Sequence, residues 1–256
     1  MPTIVFANPK GGVGKSTAAI LLAAELISRK AAVTAIDADP NTPLSQWAVR
    51  SVKSGAMTKI AESPGSLTVS AKNSERMTVI TNSSEHTVID TIEKAATETP
   101  FVVVDLEGTA SMMVGYAMSR ADLVIIPVQG SYLDAAEAVK TIALVQAQER
   151  AFRRTIPYAV LFTRTNPLIR ARTFQSVESQ LISRKIPILD SQIHEREAYR
   201  AIFSFGGTLN SLDPNQVPNI AAAKANAIFF ASEVVKFLKA GKPAEDSAST
   251  AATEVA

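Results

Sequence analysis

The chain predicts an α/β fold, a doubly wound and mostly parallel sheet flanked by helices. Three observations predict it. Apolar runs alternate with helical patterns along the chain. Two of those runs, Phe101 to Asp105 and Leu123 to Val128, are continuous and rich in valine or isoleucine, as strands covered on both faces are. A glycine-rich segment follows the first apolar run and opens the first helical one. With 256 residues, 46% of them apolar and 20% charged, the chain has an ordinary globular balance and can bury a sizeable core.

Element by element, Thr3 to Ala7 is an apolar strand, and Lys15 to Ser28 repeats its apolar residues at helical spacing. A second strand, Ala32 to Ile36, ends on Asp37. Pro43 to Lys53 reads as a helix, whereas Glu62 to Ser74 carries Pro, Gly and Ser and reads as a loop. Met77 to Thr81 is a short strand and Glu85 to Thr97 a helix; the two continuous apolar runs follow. Helices at about Asp134 to Ala151 and Ala171 to Arg184 flank a strand at Tyr158 to Thr163, and a last helix covers Ile220 to Lys239. From Ala240 onward large apolar residues are too few to offset the entropy of ordering. The expected organisation is one domain over 1–240 and a disordered tail over 241–256.

Several classes are excluded early. No apolar stretch approaches the roughly 20 residues of a membrane span. The N-terminus enters an apolar strand without a basic region or cleavage site, which predicts a cytoplasmic protein. The absence of cysteine agrees with that and excludes disulfides, thiol chemistry and cysteine-ligated iron-sulfur clusters. The formal charge of +2 is uneven: residues 1–148 hold 12 basic and 14 acidic side chains, whereas 149–200 hold 10 and 5, mostly arginine. That segment is either a solvated helical face or a surface for nucleic-acid phosphates. His86 and His194 have no partner at metal-ligand spacing, and Trp47 is expected in the core.

Lys10-Gly11-Gly12-Val13-Gly14-Lys15-Ser16-Thr17 lies between a strand and a helix, the context of a phosphate-binding loop. Glycines let successive N–H groups converge on phosphate oxygens, and the helix N-terminus adds its positive dipole end. Lys15 is placed to reach the β and γ phosphates and Ser16 to ligate magnesium, so the expected cofactors are ATP and Mg2+. The loop departs from the ordinary pattern, because Pro9 stands five positions before Gly14 and a second lysine, Lys10, opens the motif.

That deviant form resembles the ParA/MinD family of P-loop ATPases over about residues 3 to 239. The resemblance implies that Lys10 crosses a dimer interface to the partner's phosphates. Asp37-Ala38-Asp39-Pro40-Asn41 is similar to the family's first switch, which implies that Asp39 orients the attacking water and Asp37 supports the magnesium shell. Val102-Val103-Val104-Asp105-Leu106-Glu107-Gly108 is similar to the second switch, with Asp105 holding magnesium through water; Glu107 stands where the family has proline or alanine. Thr163-Arg164-Thr165-Asn166 resembles the adenine-contacting region, through Thr163 and Arg164. The alternative for each aspartate is a helix cap or a strand-end contact with solvent, and the functional reading is favoured over it. Glu107 and Asp134 are expected to be surface or cap residues.

Four function classes stay open. In the first, ATP builds a sandwich homodimer that binds DNA without reading sequence, through Arg164, Arg170, Arg172, Arg184, Lys185, Arg196 and Arg200, and so associates with the nucleoid. A ParB-like or other adaptor would stimulate hydrolysis and release the dimer, partitioning a cargo. His194-Glu195-Arg196-Glu197-Ala198-Tyr199 also looks like the ParA and VirC1 branches, the latter assisting DNA transfer. The second class is a membrane-positioning ATPase, but the end of the chain offers no basic amphipathic anchor, so no membrane partner is expected. A metabolic ligase on the same fold is the third; a reductase would need cysteines. The fourth is a nucleotide-gated adaptor with negligible turnover.

Overall fold

The computed structural model describes residues 1–82, 84–108, 111–167 and 172–240; Arg170 and the tail at 241–256 lie outside the described residues. Its elements are β1 (Thr3–Phe6), α1 (Lys15–Ser28), β2 (Val33–Ala38), α2 (Pro43–Lys53), β3 (Thr58–Ser63), β4 (Ser66–Ser70), β5 (Arg76–Thr81), α3 (Val88–Glu98), β6 (Phe101–Leu106), α4 (Met112–Ser119), β7 (Leu123–Val128), α5 (Tyr132–Phe152), β8 (Tyr158–Thr165), α6 (Arg172–Ser183), β9 (Ile193–His194), α7 (Glu197–Phe205) and α8 (Ile220–Ala240). The strands form one sheet in the order β3-β4-β5-β2-β6-β1-β7-β8-β9. From β5 to β9 neighbouring strands run parallel, and only the β3–β4 hairpin is antiparallel to its neighbours. The α/β class with a mostly parallel sheet is therefore the one the sequence predicts.

Apolar residues on both sides of each central strand force this three-layer arrangement, because consecutive side chains point to opposite faces. On one face Ile4, Phe6, Val103, Leu123 and Ile125 pack with α1, α2, α7 and α8. On the other, Val5, Val102, Val104, Val124 and Ile126 pack with α3, α4, α5 and α6. Trp47 is buried in the first layer, and its indole N–H donates to the Gly207 carbonyl at 2.9 Å.

One segment corrects the sequence expectation. Glu62 to Ser74, expected as loop, holds the end of β3 and all of β4. Ser66-Leu67-Thr68-Val69-Ser70 alternates with period two, and Val69 is fully buried while its neighbours are only partly covered. Pro64 and Gly65 make the two-residue connection, with Gly65 at φ +73°, a backbone conformation that a type II turn reserves for glycine. The Pro and Gly therefore mark a hairpin turn, and the Ser-rich stretch is a strand.

The order of strands places the loops after β1, β2, β6, β7 and β8 at one edge of the sheet. β1 lies between β6 and β7, so successive connections leave it in opposite directions, and the carboxyl ends of the strands open a crevice there.

Candidate nucleotide site

The glycine loop fills that crevice. Gly14 has φ +91° and is the N-cap of α1, with no side-chain cap and no acidic residue in the first turn. The first N–H groups of the helix therefore lack a protein acceptor, which makes the helix start an anion seat. A Cβ on Gly11 or Gly12 would meet nothing within 4 Å, so the loop borders open space of the kind a phosphate chain fills. That space is a cavity of about 460 Å³ lined by Gly11, Gly12, Gly14, Lys15, Ser16, Thr17, Asp39, Pro40, Asn41, Glu107, Gly108 and Arg164.

Three side chains outside the motif hold the loop in shape. The Thr163 hydroxyl, buried at the end of β8, donates to the Val13 carbonyl at 2.7 Å and lies 3.3 Å from that of Val128. Gln129 donates to the Gly12 carbonyl at 3.0 Å. Asn8 donates to Pro127 at 2.8 Å while its carbonyl oxygen accepts the Lys10 N–H at 2.8 Å. Thr163, predicted to face adenine, thus sits beneath the loop. From the opposite side Gly108 comes so close that a Cβ there would stand 3.1 Å from the Gly11 nitrogen.

The acidic residues occupy neighbouring strands. Asp37 and Asp105 are register partners on β2 and β6, and both are fully buried. Asp37 accepts the Ser45 N–H at 2.7 Å with one oxygen, and its other oxygen has no partner. Both Asp105 oxygens lack a hydrogen-bond partner. Burial pushes the Asp105 carboxyl up to about 7, against which the nearby Ser16 hydroxyl and the Lys15 charge act only in part; Asp37 pushes the same way as burial. Burial likewise raises Asp37 and lowers Lys15. Buried carboxylates are normally paired or bound to metal, so orphaned oxygens beside Ser16 fit a magnesium shell. Lys15 is 6% exposed and donates to the Asn8 and Lys10 carbonyls at 3.1 and 3.3 Å. Asp39 closes the first switch on itself, accepting from the Asn41 N–H and side-chain amide at 2.8 and 2.9 Å.

Lys10 is not among the residues lining the cavity. Its Nζ lies 2.5 Å from Asp134 Oδ1, and Asp134 is 1% exposed. The expectation of Asp134 as a surface or cap residue is corrected: Ser131 is the N-cap of α5, its side chain accepts the Asp134 N–H, and Asp134 is buried in the first turn.

Arg164 lies in a register break opposite β9 and adopts a left-handed backbone at φ +52°. It lines both the phosphate cavity and a larger groove of about 1360 Å³ along α6 and β9 that also includes Thr165, Asn166, Lys185 and His194. The remaining predicted basic residues separate into two groups. Arg172, Arg184 and Lys185 are exposed at the two ends of α6. Arg200 is ion-paired to Glu195 and Glu197, and Arg196 is half-buried with its Nε lacking a partner. Among the described residues no group of three His, Cys, Asp or Glu forms a further metal cluster.

A family model described as VirC1 protein matches residues 1–228. A relative from Rhizobium radiobacter named Protein ParA is 37% identical over 238 residues, covering 93% of this chain and 98% of its own. The chain belongs to the ParA/MinD family of deviant Walker ATPases. Within that family it is also similar to Protein virC1 of Rhizobium rhizogenes, 27% identical over 240 residues, with 93% of this chain and 96% of the relative covered. Among solved structures, a putative plasmid partition protein from Borrelia burgdorferi B31 bound to AMPPNP superposes with a TM-score of 0.65 at 20% identity. It covers 92% of this chain and 99% of that one, a likeness of fold.

Proposed function

We propose that the chain is a ParA-type ATPase that dimerises on ATP, binds DNA without reading sequence, and partitions or positions a cargo, with turnover stimulated by an adaptor protein. The observation that carries this is the direction of Lys10. Its ammonium pairs with Asp134 and is not among the groups lining the phosphate cavity of its own chain, where Lys15 stands, which supports a phosphate target on a second copy. Met112 and Leu133, 58% and 70% exposed at the starts of α4 and α5, supply bare apolar side chains after the strands that end at the site. Such residues favour a face that another subunit covers.

Magnesium bound with the nucleotide would neutralise charge across the β and γ phosphates. In this reading the loop N–H groups and the α1 dipole would seat the phosphates, Lys15 would offset charge at the transferred group, and Ser16, Asp37 and Asp105 would hold the metal. Asp39, on the cavity wall, orients the attacking water. For DNA, Arg172, Arg184 and Lys185 are the leading contacts, because Arg200 already has two carboxylate partners. Among the described residues no helix is long and apolar enough to cross a membrane, and we assign the protein to the cytoplasm and, with ATP, to the nucleoid.

Retention on DNA is the test, measured with ATP, with ADP and without nucleotide. ATP-specific retention that falls with salt is expected; equal retention in all three sinks the proposal. An accessory role in DNA transfer is favoured by the VirC1 family match, and retention confined to one DNA sequence would mark it.

A further inference from the structure

Asp134 is a carboxylate that the nucleotide reading above leaves unused, yet it is more deeply buried than most charged groups of the chain. Its two oxygens are taken by different partners: Oδ1 by the Lys10 ammonium and Oδ2 by the Ser131 hydroxyl, each at 2.5 Å. Ser131 is the N-cap of α5 and also accepts the Asp134 N–H, so the carboxylate is locked in rotamer and stabilised by the positive end of the helix. The lysine is held differently. Its backbone is fixed, because the N–H donates to Asn8 and the carbonyl accepts from Lys15, whereas its side chain is 40% exposed. Only rotation about side-chain bonds separates the observed position of Nζ from solvent and from any second copy facing the loop.

From this asymmetry we infer that Asp134 is a positioning residue that holds Lys10 inside its own chain until a partner's triphosphate takes it, and so sets the ATP threshold for dimerisation. The inference rests on the cross-interface role proposed for Lys10. The energetics favour a latch over a permanent bond. Moving the ammonium away leaves Asp134 buried without a cation, which opposes release; a triphosphate carries more negative charge than one carboxylate and draws the same ammonium more strongly. A diphosphate lacks the terminal group, so the exchange is incomplete with ADP. A half-exposed pair with one buried member contributes roughly tenfold to such an equilibrium. In a two-fold symmetric dimer both latches must open, so the two factors multiply to roughly a hundredfold in the dimer dissociation constant.

The experiment measures that constant by sedimentation in magnesium and a non-hydrolysable ATP analogue. Asp134→Asn, which keeps an oxygen that can accept the Ser131 hydroxyl, should dimerise up to about a hundredfold more tightly than the unaltered chain while remaining monomeric with ADP. In the nucleotide-free Asp134→Asn chain the Lys10 amine should also react several-fold faster with an amine reagent than in the unaltered chain, a change at Lys10 that a merely structural role for Asp134 would not produce. If Lys10→Ala dimerises as tightly as the unaltered chain, the cross-interface role of Lys10 fails and takes the latch with it. If Lys10→Ala abolishes the dimer while Asp134→Asn leaves the dissociation constant unchanged or weaker, the latch alone is wrong. Should Asp134→Asn not fold, amine labelling of the unaltered nucleotide-free chain decides: Lys10 should react several-fold more slowly than the exposed Lys94, and equal rates would overturn the latch.

Discussion

Replacing Thr163 by valine changes almost no volume and removes one hydroxyl, the one that donates to the Val13 carbonyl at 2.7 Å. The site is 2% exposed, so water cannot replace the lost donor. An isosteric loss of this kind costs about 1 kcal/mol for the bond and up to about 1 more for the stranded acceptor. In a chain of this size each kcal/mol moves the melting temperature by about 2–4 °C, so a fall of roughly 2–8 °C is expected. The phosphate loop loses a buttress as well, and two- to fivefold weaker nucleotide binding, roughly, follows if half of that free energy had been used to preorganise it. Calorimetric titration with ADP and with inorganic triphosphate separates the two roles of Thr163. A loop buttress weakens both ligands equally, whereas an adenine contact weakens ADP alone. Thr163→Ser, which keeps the donor, should restore most of the loss. Unchanged triphosphate binding in Thr163→Val would refute the placement of this hydroxyl beneath the loop.

Asp105→Asn should raise the urea midpoint of the nucleotide-free chain in a chelator, because it removes a buried charge with two unpartnered oxygens, and should weaken magnesium-nucleotide binding at least tenfold; a lower midpoint argues that the carboxylate is a structural acceptor. Arg164→Gly relieves a left-handed backbone at φ +52°, worth about 1 kcal/mol, so thermal stability should hold or rise while ATP affinity falls; a loss of stability with unchanged affinity would sink the assignment of Arg164 to the cavity wall. His194 titrates below its ordinary value because burial and then the Arg196 charge disfavour its cation. Its contribution to stability is thus full above about pH 6.5 and declines as the pH falls below it, since the unfolded chain then binds the proton more readily. In His194→Gln the denaturation midpoint should vary less between pH 7 and pH 5, and an unaltered slope would show that other groups carry the acid limb.

The strands and the loop were legible because their signals are local. Two continuous valine or isoleucine runs, a strand-glycine-helix junction and Asp105 at a strand end needed no tertiary information. The β3–β4 hairpin was not legible, because Pro64 and Gly65 read equally well as punctuation of a loop and as a two-residue turn, and only pairing with β5 decides between them. The burial of Asp134 was hidden for a different reason. Its partner lies 124 positions away on another element, and the local Ser131-x-x-Asp134 pattern announces the helix start without announcing the lysine. Thr163 was identified as a site residue, but its side chain serves the loop from below, a distinction that depends on which face of β8 meets the glycines.

The contact between Gly108 and Gly11 joins the loops that follow β6 and β1 through main chain alone, with no side chain between them. A movement of either loop is therefore transmitted as a rigid push, without the play that rotatable bonds would add. Substitution of the half-buried Glu107 side chain beside it leaves that main-chain linkage intact. Even one methyl group at residue 108 would act as a spacer, forcing the loop after β6 and the glycine loop apart.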